Sequence, residues 1–488
     1  MGTNVRSTPT ADAPDAFAAP VALTISSRLV IEPGYPAELR HAVHDRFTLA
    51  NPAYQEALKF DRDTRDLPAH LRYYDVRPDG ALTVPRGALE LVYRDCLALG
   101  FEPRWTDETH VADPVAFDER ITLSPAQECA VDAALGRRMG LVCAPAGAGK
   151  TVLGLVAVAR RRQPALWLTH TVELARQAVA RATTVLGLAP DEIGFIGDGE
   201  CRVGERLTVA LTQSLARSIP PALLGVGMVV LDEAHHCPAE QTAAVVAQFP
   251  ARYVLGLTAT PYRRDKLDAV LEFYLGPIVA TIAKEDLADR LITPRIIKRD
   301  TGLRPTGDSF TEIVSDLVAM RARNALIVED VARAVADGRR CLVLSERVSH
   351  VEELTRLLRA RGIAAAALYG SLGKKARGRV VEDLAAGELA VVVATISLIA
   401  EGFDAPRLDA LFLTTPMSYG GRVVQAIGRV SRTAPGKEDA IVVDYTDDNR
   451  LLWATWRNRK GVYDDQGAEI HPLPGHARTP GHARARAS

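Results

Sequence analysis

A chain of 488 residues with 47% hydrophobic and 24% charged residues and a net charge of −1 has the balance of a soluble globular protein of about two to four domains. No apolar run approaches the roughly 20 residues needed to span a bilayer, and the start, Met1-Gly-Thr-Asn-Val-Arg-Ser-Thr, lacks the apolar core of a secretory signal, so the sequence predicts a cytoplasmic protein with no membrane partner. Near-neutral charge excludes a histone-like basic surface but leaves room for a local basic groove.

In chain order, residues 1–20 are rich in Ala, Pro, Asp and Thr and read as a disordered tail. Residues 21–120 hold several tyrosines and many arginines without a phosphate loop, which predicts an accessory α+β domain for substrate recognition. Deleting 1–120 is then expected to spare basal activity of the remainder. Tyr54, Tyr73, Tyr74 and Trp105 interleave there with Arg62, Arg65, Arg72, Arg86 and Arg104. Such a mixture suits stacking on bases and gripping phosphates, although core aromatics and solvated arginines are the more common outcome.

From 121 onward, apolar runs alternate with helical stretches. Gly140–Cys143, Ala165–Leu168, Leu207–Leu211, Met228–Leu231 and Tyr253–Leu257 form one series of strands, and Cys341–Leu344, Leu389–Val393, Ala410–Leu413 and Ala440–Asp444 form a second. Continuous rather than alternating apolar runs suit parallel strands covered on both faces. Helices are predicted at Val152–Arg161, Val351–Arg361 and Lys374–Leu384. The expected fold is α/β: two tandem doubly wound parallel-sheet lobes, 121–290 and 291–455, joined near 285–308 and preceded by the accessory α+β domain. Residues 456–488 are read as an extension ending in a disordered basic tail, where a Pro-Gly-His-Ala-Arg unit repeats.

Six cysteines (Cys96, Cys129, Cys143, Cys201, Cys237, Cys341) are scattered without a C-x-x-C pair, which argues for free thiols. His235-His236-Cys237 does not read as a zinc site, because neighbours on an extended segment point in different directions.

Three segments carry chemistry. Ala144-Pro-Ala-Gly-Ala-Gly-Lys-Thr151 sits between a strand and a helix, where a glycine-rich turn can fold its amides around phosphate. Gly147, Ala148, Gly149, Lys150 and Thr151 are its nucleotide-binding candidates, Lys150 for the β- and γ-phosphates and Thr151 for Mg²⁺. Asp232-Glu233 closes the strand Met228–Leu231. A carboxylate at that point can hold Mg²⁺, here Asp232, while its neighbour orients water, here Glu233. Far downstream, Gln425-Ala-Ile-Gly-Arg-Val-Ser-Arg432 supplies two arginines that a second lobe could bring to the same nucleotide.

With these segments the chain resembles the superfamily 2 helicases, specifically the DEAH-motif group of DNA helicases and translocases similar to excision-repair and phage recombination helicases. The resemblance extends in order through Gln127, Thr169-His-Thr171, Thr212-Gln213-Ser214, Asp232-Glu-Ala-His235, Thr258-Ala-Thr260, Ser345-Glu-Arg347, Thr395 to Asp404 and the 425–432 segment, about two thirds of the chain. It implies RecA-like lobes, ATP and Mg²⁺ as cofactors and DNA as partner, with RNA second. Gln127 would read adenine, and Gly402 and Asp404 would sense the nucleotide. His235, Thr258 and Thr260 would couple hydrolysis to lobe movement, and Gln425 would help close the cleft. Arg429 and Arg432 would act as arginine fingers. Thr171, Thr212, Gln213 and Thr395 would hydrogen-bond strand phosphates, although helix capping explains each threonine equally well. For Arg347 a surface salt bridge is nearly as apt as a functional role.

The expected function is therefore ATP-driven translocation on, or remodelling of, DNA by a monomer, alone or with protein partners in repair, recombination or defence. The alternatives are an RNA helicase, the motor subunit of a restriction or phage-defence complex, and a nucleotide-switched clamp with little turnover. No P-D…E-x-K-like nuclease constellation is present.

Overall fold

The computed structural model describes residues 20–145, 147–234, 244–259, 267–283, 285–287, 292–396, 407–417, 420–434, 436–465 and 467–472. Of the residues singled out above, His235, His236, Cys237, Thr260, Glu401, Gly402 and Asp404 lie outside that set, as do the tails.

The N-terminal domain runs β1 (Pro20–Ile25), β2 (Arg28–Ile31), α1 (Ala37–Arg46), β3 (Thr48–Ala50), α2 (Pro52–Lys59), β4 (His70–Arg72), β5 (Asp75–Val76), β6 (Leu82–Pro85), α3 (Leu89–Ala98) and β7 (Glu102–Asp107). Five strands form one sheet in the order β5-β6-β2-β1-β7. β7 returns parallel to β1, while the other pairs are antiparallel. This is the expected α+β domain.

It is not a separable one. The Phe47 ring packs tilted against Phe273 of the first lobe, with centroids 4.7 Å apart, and Leu267, Val270 and Phe273 share a core with Leu39, Val43 and Leu82. A Cβ at Gly87 would lie 2.6 Å from Glu272 O, so only glycine lets the two backbones approach this closely. The expected boundary also moves. Past Asp107 the chain is an extended strap on the first lobe, with Val115 N donating to Arg162 O and Arg120 N to Val185 O.

The first lobe runs α4 (Pro125–Leu135), β8 (Met139–Cys143), α5 (Lys150–Arg161), β9 (Ala165–Thr169), α6 (Val172–Leu186), β10 (Gly194–Gly197), β11 (Glu200–Arg202), β12 (Leu207–Leu211), α7 (Thr212–Leu215), β13 (Met228–Leu231), β14 (Tyr253–Thr258), α8 (Asp268–Leu275) and β15 (Ile278–Thr281). Its eight strands lie in the order β11-β10-β12-β9-β13-β14-β8-β15, all parallel except the edge strand β11. β9, β12 and β13 are buried at every position, as their largely apolar sequences require of strands covered on both faces.

The second lobe runs β16 (Arg295–Asp300), α9 (Phe310–Ala319), α10 (Arg321–Ala336), β17 (Cys341–Ser345), α11 (Val348–Ala360), β18 (Ala365–Leu368), α12 (Lys374–Ala386), β19 (Val391–Thr395), β20 (Ala410–Leu413), α13 (Gly420–Val430), β21 (Ile441–Thr446), α14 (Arg450–Asp465) and β22 (Ile470–Pro472). Its seven strands are parallel, in the order β18-β19-β17-β20-β21-β16-β22. Two expectations change here. The stretch read as a link contains β16, paired with β21 along its whole length; its charged ends and flanking Pro294 masked the strand pattern. Residues 456–472, read as an extension, complete the lobe: Tyr463 of α14 is fully buried and β22 adds to the sheet. Among the described residues no helix is long and apolar enough to cross a membrane.

Candidate nucleotide site and strand-end surface

β8 ends at Cys143 and α5 begins at Lys150, with Gly147 and Gly149 in the turn just before the helix. Gly147 and Gly149 take φ of 91° and 81°, a region side chains enter only with strain. α5 begins at Lys150 with no side-chain cap, so its first amides remain available to an anion. Gln127 holds the turn from behind: its Oε1 accepts from Ser124 N at 3.0 Å and its Nε2 donates to Ala148 O at 2.8 Å. The glutamine expected to read adenine therefore also braces the phosphate loop.

Lys150 is only 8% exposed and its Nζ lies 3.3 Å from Glu233 Oε1. Asp232 is buried behind them. Burial, reinforced by the Glu233 carboxylate and opposed by Lys150, pushes its carboxyl up to about 7. Glu233 sits at φ 49°, a conformation rare for a residue with a side chain and typical of strained functional positions. Thr258, fully buried at the end of β14, pairs in register with Cys143, and its carbonyl accepts Ala144 N at 2.9 Å. The coupling candidate is thus joined to the start of the phosphate loop. A lysine, the adjacent Thr151, a buried acid and uncapped amides make a donor set that fits a nucleotide triphosphate with Mg²⁺.

The other strand ends of this lobe carry the threonines. Thr212 is 3% exposed and its hydroxyl donates to Thr169 O at 3.1 Å, while Thr171 caps α6 by accepting Leu174 N at 3.3 Å. Both hydroxyls make structural bonds: the capping alternative describes Thr171, whereas Thr212 ties the end of β12 to that of β9. Gln213 beside them is exposed.

In the second lobe Gln425 is buried on α13, Arg429 is half-buried one turn later, and Arg432 follows the helix. Sequence reasoning missed the residue that fixes this segment. Lys437 Nζ donates to Arg432 O at 2.7 Å and to Leu408 O at 2.6 Å, and burial lowers its pKa to about 8.

It also missed the network under Ser345-Glu-Arg347. Ser345 Oγ and His350 Nδ1 are 2.9 Å apart, and His350 Nε2 and Asn324 Oδ1 are 2.9 Å apart. Burial, with nearby Arg323, holds His350 down at about 3. Ser345 Oγ in turn accepts Arg347 N at 3.2 Å. Arg347 makes no ion pair among the described residues. It lines a cavity of about 420 Å³ with Glu346, Gly370, Thr395 and Ile396, so the motifs at the ends of β17 and β19 converge. Arg377 of α12 crosses to the first lobe and donates to Glu173 at the start of α6, 3.0 Å away. No signal in the sequence distinguished Arg377 from its charged neighbours.

Comparison with known proteins agrees with this geometry. Residues 120–263 match the family model described as "Type III restriction enzyme, res subunit", and residues 323–434 match "Helicase conserved C-terminal domain". The chain belongs to the superfamily 2 helicases. Among curated relatives of this helicase, "Probable helicase D10" of Escherichia phage T5 is 24% identical over 66% of this chain and 70% of its own length. The "DNA 3'-5' translocase XPB2" of Sulfurisphaera tokodaii is 32% identical over 43% of this chain and 48% of its own. Among solved structures, S. cerevisiae Dbp5 bound to RNA and ADP BeF3 has a TM-score of 0.57 at 15% identity, covering 72% of this chain and 90% of that one, and so shares the two-lobed RecA-like fold.

Proposed function

We propose that this helicase hydrolyses ATP at the cleft headed by Lys150 and uses the cycle to move on DNA or remodel it. The observation that carries the reading is the Lys150–Glu233 ion pair at the uncapped start of α5, with Asp232 buried behind it. Mg²⁺-bound ATP supplies the phosphoanhydride. Lys150 neutralises charge on the outer phosphates, and Thr151 and Asp232 hold the metal. Glu233, released from Lys150 by the incoming phosphates, orients the attacking water and takes its proton. Arg429 and Arg432 answer the charge that develops as the bond breaks, with Gln425 steadying their helix. Arg377 to Glu173 is a contact across the lobes that would change as they close.

DNA is preferred over RNA because the 32%-identical relative is named a DNA translocase. The strand would cross the ends of β9, β12, β17 and β19, where Gln213, Arg347 and Thr395 are the candidate contacts. A second reading, the motor of a restriction-type complex, draws on the family matched by residues 120–263.

Steady-state ATPase rates with single-stranded, duplex and branched DNA and with RNA, side by side, test the proposal. Stimulation by DNA supports it. Stimulation by RNA alone reassigns the partner, and turnover unaffected by any nucleic acid removes the motor reading.

A further inference from the structure

Arg86 lies where the N-terminal domain meets the first lobe, and it is 1% exposed. Its Nη1 donates to Ala251 O at 2.7 Å and to Ser26 O at 3.4 Å, while its Nε and Nη2 are buried without a hydrogen-bond partner among the described residues. Burial lowers its pKa to about 10, and no carboxylate contacts it among the described residues. A desolvated guanidinium with two idle donors is costly unless an anion answers it.

The surroundings provide room for one. Arg86 lines a cavity of about 220 Å³ together with Arg28, Arg72, Tyr73, Tyr74 and Asp75. Asp75 is already paired with Arg28 at 2.6 Å. Arg72 makes no ion pair among the described residues and lies over the Tyr74 ring at 5.4 Å. Three guanidinium groups thus face one carboxylate. The volume is below the roughly 300–1,000 Å³ of small-molecule pockets, which suits a single anionic group.

We infer that this junction is a phosphate-binding site, with Arg86 as the buried anchor and Arg72 and Arg28 at its mouth. The group bound is either a free phosphate or one phosphate of a nucleic-acid backbone. In either case it would tie β6 and β4 to Val246 and Ala247 of the first lobe, which also line the cavity.

The test uses the full chain with Mg²⁺ and a non-hydrolysable ATP analogue saturating the phosphate loop. Inorganic phosphate is titrated by calorimetry, and the salt dependence of DNA binding is measured in parallel. For a free-phosphate site, the wild type takes up phosphate at about 1 mM or tighter, Arg72→Ala weakens this at least tenfold, and Arg86→Met removes it. For a backbone site, Arg72→Ala lowers the slope of log K against log salt by about 1. Arg72 is exposed, so its variant remains informative should Arg86→Met fail to fold. No phosphate uptake by the wild type, together with unchanged DNA affinity and salt slope in Arg72→Ala, would overturn the inference.

Discussion

The two lobes share one sheet plan but treat buried charge in opposite ways. In the first lobe Lys150, Asp232 and Glu233 crowd together at the strand ends, and Asp232 is pushed up to about 7 by burial and its acidic neighbour. In the second lobe each buried ion among the described residues is answered. Arg323 donates to both oxygens of Asp447 at 3.0 Å and to Thr414 O at 2.6 Å. Arg459 bridges both oxygens of Asp444 at 2.9 Å, and Tyr463 donates to the same carboxylate at 2.8 Å. Arg299 and Tyr445 converge on Asp330. Two carboxylates around a single lysine mark the lobe that waits for a ligand. Answered charge marks a lobe that must stay rigid while it moves as a body.

Substitutions can break this contrast, and Lys150→Ala should have the largest effect. Without its principal cation the site should lose ATPase activity by roughly 10³-fold or more, with little change in the unfolding midpoint, which circular dichroism would read. A large loss of stability would instead make Lys150 a structural partner of Glu233.

Arg323→Met should do the reverse. Leaving Asp447 buried without its partner should cost about 3–5 kcal/mol of second-lobe stability, read by urea unfolding, whereas an exposed-pair variant such as Arg304→Ala should cost about 0–1 kcal/mol. Deleting residues 1–107 should lower the melting temperature of the remaining chain and promote aggregation, because Phe273 and Val270 lose their cover. An unchanged melting temperature would restore the separable domain that composition suggested.

A further effect concerns pH. His350 is held near 3 in the fold against an ordinary 6.5, so the unfolded chain binds more protons between those values. Its share of stability is complete above about pH 6.5 and is lost as pH falls towards 3. The slope of melting temperature between pH 7 and 4 should be shallower in His350→Gln than in the wild type. Equal slopes would indicate that His350 does not titrate on unfolding.

What the sequence revealed follows the same division. β12, β13 and β20 were read to the residue, because short runs of apolar and β-branched residues between turn signals have few other uses. β16 and β22 were hidden because β16 offers only one apolar pair between charged ends after Pro294, and β22 is a three-residue edge strand that ends in Pro472, so neither carries a strand pattern. The phosphate loop and the Asp232-Glu233 acids were legible because local chemistry fixes them. The His350–Asn324 network, the Lys437 staple and the Arg86 anchor were not, since each depends on contacts between residues distant in sequence or on burial that composition does not reveal.

The most direct test of the two-lobe account is single-turnover hydrolysis by Arg429→Ala, measured with the affinity for Mg²⁺-bound nucleotide in the presence of DNA. The account predicts hydrolysis slowed by roughly 10³-fold with affinity within a few-fold of the wild type. Nucleotide affinity and hydrolysis lost in parallel, or both retained, would contradict a nucleotide site completed from the second lobe.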